Sequence, residues 1–216
     1  MIIPKYNFDS LPLWHAFKAE YQLTDLQCHQ FAQYLVLLQE YSALFNLTTI
    51  VDAENIIAYH FQDSVILSKF FDCHALTMIA DIGTGAGFPG IPLKILFPHI
   101  QLTLIEVSKK KIEFLNTIIK ALELDQTQVF DMDWRTFLRK TQEPIDLFVS
   151  RASLHTDELM RMFRTNCIYN DRRLVYWASK DWKITQSEEP FFQNEALYTI
   201  KNKKRRLIFF ANPLKK

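Results

Sequence analysis

Gly83-Thr84-Gly85-Ala86-Gly87-Phe88-Pro89-Gly90 holds all four glycines of a 216-residue chain. A chain of this length ordinarily carries about 15, so glycine is withheld elsewhere and concentrated where the backbone must bend and meet something. Met78-Ile79-Ala80-Asp81-Ile82 before it reads as a buried strand, and Ile91–Phe97 after it reads as a helix. Strand, glycine turn and helix together form a nucleotide-type binding loop.

The totals set the frame. At 49% hydrophobic residues, with 18 Phe, 8 Tyr and 4 Trp, the chain can bury one large core with an accessory layer. The net charge of +1 hides an asymmetry. Residues 1–100 hold 4 Lys/Arg and 9 Asp/Glu, and residues 101–216 hold 21 and 15. A basic second half fits an anionic partner, and solvated helix faces produce the same count. Cys28, Cys73 and Cys167 are odd in number and lack metal-ligand spacing, which predicts free thiols, a reducing compartment and no metal. No apolar run reaches the roughly 18–20 residues of a membrane span, and the N-terminus lacks a signal layout. A cytoplasmic monomer is expected.

Along the chain, Tyr6, Phe8, Trp14, Phe17 and Tyr21, with Pro4 and Pro12, predict a short lead-in helix. Thr24-Asp25-Leu26-Gln27 is a capping box opening a helix to about Phe45, with Leu23 as its staple and Phe31, Leu35, Leu38 and Ser42 on one stripe. Asp52 caps a second helix to about Phe71. On it His60, Asp63 and Ser64 share a patch, which spacing alone assigns to a hydrogen-bonded helix surface rather than to a site. From residue 77 strands and helices alternate. Gln101–Glu106, Gln128–Phe130, Ile145–Ser150 and Leu174–Ala178 read as strands. Ser108 caps a helix carrying Ile112, Leu115, Ile119 and Leu122. Shorter helices fall near Trp134–Arg139 and Asp157–Arg164. Ala196–Ile200 and Leu207–Ala211 form a hairpin around a basic turn, residues 201–206. The expected fold is α/β: a Rossmann-like, mostly parallel sheet with a C-terminal antiparallel hairpin (73–216) under an N-terminal helical cap (1–72).

Gly85-x-Gly87-x-x-Gly90 is also the dinucleotide fingerprint, which keeps hydride transfer as an alternative. Two features favour another ligand. Asp81 sets a carboxylate at the mouth of the loop, where it repels pyrophosphate and attracts an ammonium or sulfonium. Pro89 removes a donor that a phosphate would use. S-adenosylmethionine carries both cations and no phosphate. Glu106, ending the next strand, can accept both ribose hydroxyls, a role common to both ligand classes.

Asp81-Ile82-Gly83-Thr84-Gly85-Ala86-Gly87-Phe88-Pro89-Gly90-Ile91-Pro92-Leu93 resembles the signature of the bacterial small-subunit ribosomal RNA methyltransferase G family, also called glucose-inhibited division protein B. In order along residues 24–165, Asn46-Leu47-Thr48, His60-Phe61-Gln62-Asp63-Ser64, Lys111-x-x-Phe114-Leu115 and Ser150-Arg151-Ala152 are similar to further elements of that family. Two elements depart. Asp131-Met132-Asp133-Trp134-Arg135 replaces an Arg-x-Glu type near the adenine, and Ala178-Ser179-Lys180-Asp181 lacks the glycine of a Leu-Lys-Gly.

The resemblance implies S-adenosylmethionine-dependent methylation of guanine N7 in 16S ribosomal RNA, with the small ribosomal subunit as partner. It implies cofactor contacts from Asp81, Gly83, Thr84, Gly85, Gly87, Phe88, Glu106, Asp133, Trp134 and Arg151. His60, Asp63, Ser64, Asn46 and Arg151 would face the base. Guanine N7 bears a lone pair and no proton, so catalysis reduces to positioning and water exclusion. Lys109–Lys111 and the basic 201–206 turn would meet RNA phosphates. A methyltransferase acting on another RNA or a small molecule, and a silent RNA-binding relative, remain alternatives.

Overall fold

The computed structural model describes residues 11–45, 47–151 and 154–215. Asn46 and Ala152 lie outside them, as do Pro4, Tyr6 and Phe8. A seven-stranded sheet has the order β3-β2-β1-β4-β5-β7-β6. The first five strands are parallel: β1 (Met78–Ile82), β2 (Gln101–Glu106), β3 (Thr127–Asp131), β4 (Leu147–Arg151) and β5 (Arg173–Ser179). β6 (Phe192–Ile200) and β7 (Lys203–Ala211) add the antiparallel hairpin, β7 pairing with β5. Central strands of a parallel sheet are covered on both faces, and β1 is buried along its whole length.

One face packs under the N-terminal helices. α1 (Pro12–Glu20) and α2 (Asp25–Phe45) deliver Phe17 and Phe31 to Phe61, with ring centroids 5.1 Å apart for Phe17–Phe31 and 5.0 Å for Phe31–Phe61. The capping box forms: the Thr24 amide donates to Gln27 Oε1 and the Gln27 amide to Thr24 Oγ1. α2 also closes two helices of the sheet layer. Gln27 Nε2 donates to the Ile95 and Leu96 carbonyls ending α5 (Gly90–Leu96), and Gln30 Nε2 to the Leu122 carbonyl behind α6 (Lys109–Ala121). Each bond satisfies an orphan carbonyl at a helix end. Cap and sheet therefore share one apolar cluster, from Trp14 to Leu207. The other face packs around Trp134, Phe137, Phe148 and Tyr169, beneath α7 (Trp134–Lys140) and α8 (Thr156–Leu159). Among the described residues no helix is long and apolar enough to cross a membrane.

Four sequence expectations are corrected. The helix capped by Asp52, whose Oδ1 accepts from the Asn55 amide, is not uniform. It runs as α3 (Ala53–Ile56), a π-helical turn (Ile57–Gln62), α4 (Asp63–Val65) and a 3-10 turn (Ile66–Lys69). Asp63 and Ser64 leave the expected surface and are fully buried. The helix after β4 likewise breaks, α8 passing into a 3-10 turn at Met160–Phe163. Ser108 stands at the N-cap of α6 without a side-chain bond, and the Glu106 carboxylate accepts from the Val107 and Ser108 amides that lead into the helix. The basic 201–206 turn contracts to Lys201-Asn202, and Lys203–Arg206 belong to β7. Strand pairing with Ser179, Leu197 and their neighbours satisfies that backbone better than a six-residue loop would.

The buried carboxylate of Asp63 joins the π-turn to the sheet. Its Oδ2 accepts from Arg151 Nη1 at 3.0 Å, and its Oδ1 accepts from the Tyr198 hydroxyl and lies 2.8 Å from Arg205 Nε. Removing one partner of such a group leaves uncompensated charge in the interior. Asp63→Ala, which strands Arg151 and Arg205, is expected to lower unfolding free energy by about 3–5 kcal/mol, read by urea denaturation. A decrease below about 1 kcal/mol, the scale of an exposed ion pair, would show that the network does not hold the hairpin.

Candidate functional site

A cleft of about 480 Å³ opens at the carboxyl ends of β1, β2 and β4, where open α/β sheets place their ligands and within the size range of small-molecule sites. The glycine loop forms its floor. Gly83 (φ 63°), Gly85 (φ 64°) and Gly87 (φ 98°) all take left-handed backbone. A Cβ on Gly87 would stand 2.5 Å from Ile91 Cδ1 and 2.7 Å from the Tyr34 hydroxyl, so that glycine serves packing. A Cβ on Gly85 would meet nothing within 4 Å, so that glycine faces open space.

Two acids hold the loop from opposite sides. Asp81 is buried behind it; its Oδ2 accepts from Thr84 Oγ1 at 2.7 Å and from the Gly90 amide at 2.8 Å. Oδ1 has no hydrogen-bond partner among the described residues. Burial pushes this carboxyl up to about 7, so the attraction expected of a carboxylate at the loop's mouth is replaced by a brace behind it. Glu106 closes the loop from β2. Its Oε2 accepts from the Gly85 amide, and its Oε1 from the Val107 and Ser108 amides, all at 3.0 Å. Lys111 Nζ lies 4.0 Å from Oε2.

The opposite wall is built from the π-turn and the end of β4. Arg151 Nη1 donates to the Tyr59 carbonyl, Asp63 Oδ2 and Ser64 Oγ, and Nη2 donates to His60 Nδ1 at 3.2 Å. A guanidinium only donates, so His60 Nδ1 accepts, and its proton sits on Nε2, directed to Thr48 Oγ1 at 2.9 Å. Burial, then the charges of Arg151 and Arg205, lower His60 to about 3. It stays neutral. Its ring stacks on Phe88 at 4.4 Å and 11°, and Phe88 stacks on Tyr34 at 5.3 Å and 14°. The Tyr34 hydroxyl donates to the Ala86 carbonyl, which ties the stack back to the loop.

Of the residues singled out from sequence, Gly83, Thr84, Gly85, Phe88, Glu106, Asp133, Trp134, His60 and Arg151 line the cleft. Asp81, Gly87, Asp63 and Ser64 stand behind its walls, bracing them. Asn46 falls outside the described residues, while its neighbours Leu47 and Thr48 line the cleft. Sequence reasoning missed Tyr34, Tyr198 and Arg205 as supports. Tyr34 lies one helical step past Phe31 and carried a legible signal. Tyr198 and Arg205 reach Asp63 across more than 130 residues, which spacing cannot express. The basic 201–206 residues are largely engaged within the protein: Arg205 with Asp63, Arg206 Nη1 with Glu195, and Lys201 with Glu54 and Asn55. Lys109 is paired with Asp131.

The donor set suits a nucleoside better than a pyrophosphate. Glu106 and Asp133 place two carboxylates in the cleft beside Lys111 and Arg151, Trp134 and Phe88 offer aromatic surface, and Gly85 leaves room for a ligand against the backbone.

Residues 27–208 match the sequence model of a family described as rRNA small subunit methyltransferase G. Ribosomal RNA small subunit methyltransferase G of Bacillus pumilus is 42% identical over 132 residues, covering 60% of this chain and 55% of that protein. The protein of the same name from Aster yellows witches'-broom phytoplasma is 38% identical over 175 residues, 81% of each chain. The match spans little more than half the length of the Bacillus pumilus relative. Among solved structures, MtNAS in complex with MTA and tNA superposes with a TM-score of 0.60 at 14% identity, over 95% of this chain and 79% of that one. The human methyltransferase 10 domain containing protein gives 0.54 at 13%, over 68% and 80%. At such identities the likeness is one of fold.

The Asp81 environment gives a pH signature. The folded chain holds a proton that the unfolded chain releases between about pH 4 and about pH 7, so this contribution to stability declines as pH rises through that window. Both hydrogen bonds end on Oδ2, and an amide oxygen can accept both. Asp81→Asn is therefore expected to flatten the dependence of unfolding free energy on pH between those limits. A curve superimposable on that of the unsubstituted protein would refute the assignment.

Proposed function

Since the chain belongs to the rRNA small subunit methyltransferase G family, we propose that it transfers a methyl group from S-adenosylmethionine to N7 of a guanine in 16S ribosomal RNA. We take it to act as a cytoplasmic monomer on RNA of the small ribosomal subunit, with residues 1–72 capping the catalytic segment 73–216. Support comes above all from the open space over Gly85 beside the anchored Glu106 carboxylate, facing the His60–Arg151 wall.

The cofactor supplies an electrophilic methyl group on a sulfonium. Gly83 and Gly85, with Thr84 in the same turn, would hold its methionine end, and Asp81 fixes the shape of that turn through Thr84 and Gly90. Glu106 Oε1 is taken up by two amides and Oε2 by one, which prevents rotation and leaves an acceptor site on Oε2 for a ribose hydroxyl. Asp133 and Trp134 would border the adenine. Gly87 and Phe88 set the loop against Tyr34 and His60.

Guanine N7 has no proton to lose, and His60 is unsuited to take one. It is neutral because of its depressed basicity, and its lone pair at Nδ1 already receives a proton donor from Arg151. The wall therefore acts by rigidity. Both Arg151 Nη atoms are engaged inside the protein, so Arg151 is a positioning residue here rather than a bidentate reader of the base. With Asp63 and Ser64 it holds the His60–Phe88 surface against which a base can lie. Catalysis by such a site is orientation and exclusion of water, and a misplacement of about 1 Å can cost about a hundredfold in rate.

The decisive experiment supplies labelled S-adenosylmethionine and small subunits from cells lacking the gene, then maps the modified base. N7-methylguanine in 16S RNA is the expected product; label appearing in metabolites or protein instead would overturn the reading. Gly85→Leu should abolish cofactor binding by calorimetry. Arg151→Lys retains charge and gives up the planar fork; it should keep cofactor affinity within a few-fold while kcat falls about a hundredfold.

A further inference from the structure

We propose that a second cavity, lined by Arg135, Arg139, Arg161 and Arg164, is a docking site for phosphodiester groups of the RNA substrate. The proposal rests on the RNA methyltransferase reading above and gives that reading a surface.

The chain contains nine arginines, and four of them line this single cavity of about 260 Å³. One carboxylate is hydrogen-bonded to two members of the group. Glu158 accepts from Arg135 Nε and Nη2 at 2.9 and 2.8 Å, and from Arg161 Nε and Nη2 at 2.7 and 3.1 Å. Those bonds, Arg161's first, lower Glu158 to about 2, so it is ionised throughout the physiological range. Asp133 is a second carboxylate within electrostatic reach of Arg135 and Arg139, so four guanidinium groups against two carboxylates leave two positive charges. Arg139 and Arg164 are exposed and have no ion-pair partner among the described residues. Arg139 Nη2 reaches only the Thr136 hydroxyl, at 3.4 Å. Like charges gathered around a concavity repel one another and raise the local concentration of an anion.

The residue type and size select the ligand. Planar guanidinium forks match phosphate oxygens bidentately. The cavity is smaller than the about 300–1,000 Å³ typical of sites for whole organic ligands, which suits phosphate groups rather than a complete nucleotide. The contrast with the C-terminal hairpin strengthens the choice, because Arg205 and Arg206 there are already paired with Asp63 and Glu195.

Position links the cavity to the chemistry. Trp134 lines the cleft, its Nε1–H donates to the Glu158 carbonyl at 3.0 Å, and Arg135 follows it in the chain. The residue bordering one site thus holds the backbone of the residue organising the other. RNA seated on the arginines would lie beside the cleft and be read there by shape and phosphate contacts rather than sequence.

The test uses the full chain and the paired substitution Arg139→Gln with Arg164→Gln, which leaves both Glu158 pairs intact. Removing one phosphate neutralisation on a single strand reduces the slope of log affinity against log salt by about 0.7, so two removals should reduce it by about 1.4. The KM for small-subunit RNA should rise about tenfold at moderate salt with kcat unchanged, and calorimetric affinity for S-adenosylmethionine should stay within twofold. Arg139→Lys with Arg164→Lys should restore the slope. Inorganic phosphate should compete with RNA for the unsubstituted protein and cease to do so for the glutamine variant. Normal RNA methylation by the unsubstituted protein, with unaltered KM and slope in the glutamine variant, would overturn this proposal alone. So would micromolar binding of inorganic phosphate that the variant abolishes without change in RNA affinity. Absence of RNA binding and methylation by the unsubstituted protein would overturn the parent reading, and this site with it.

Discussion

A carboxylate with almost no exposure to solvent, Asp63, is the constraint on which the site depends. It meets Arg151 from β4, Arg205 from β7 and Tyr198 from β6, while its own main-chain carbonyl accepts from the Trp177 indole of β5. Four strands and the π-turn therefore converge on one residue. Taking a charge out of water costs several kcal/mol, which only good geometry and several partners offset. The arrangement that offsets it also fixes Arg151, and through Arg151 the tautomer and plane of His60. One satisfied charge accordingly sets the orientation of a whole cleft wall.

The facing wall relies on a different device. Glycine is absent outside residues 83–90, and within that stretch the three left-handed glycines do different work. Gly87 makes room for Ile91 and Tyr34, whereas Gly85 makes room for nothing inside the protein. A backbone held in left-handed conformation with open space above it is built to be approached. Asp81 and Glu106 keep it there, one bonding its two ends from behind and the other its middle from the side. π-type turns recur at functional sites, and here one faces this loop across the cleft.

The mostly parallel sheet and its closing hairpin were legible because hydrophobic runs, turn signals and the glycine loop are local features. So were Glu106, His60 and Arg151 as cleft residues, through motifs that keep their spacing. What could not be read was inward orientation on an irregular helix. A regular α-helix puts His60, Asp63 and Ser64 on one face, but the π-turn buries two of them while the third borders the cleft. The basic 201–206 run was misleading for the same reason. As a string of cations it suggests a solvated loop; as strand residues, Arg205 and Arg206 point to acids elsewhere in the chain.

That redistribution of charge changes what the basic second half of the chain means. A net count cannot distinguish an arginine that neutralises a buried acid from one that waits for an anion; only the partners can. In the hairpin the arginines have them. Around α7 and the turn after β4, four arginines gather near Glu158, and the two beyond its reach remain exposed. Glu158 thus does for that cavity what Asp63 does for the cleft wall, holding guanidinium planes at fixed angles. The difference lies in stoichiometry: Asp63 is met by two arginines, and Glu158 stands among four. Two guanidinium groups held by Glu158 beside two exposed ones form a concentration of positive charge that suits a polyanion.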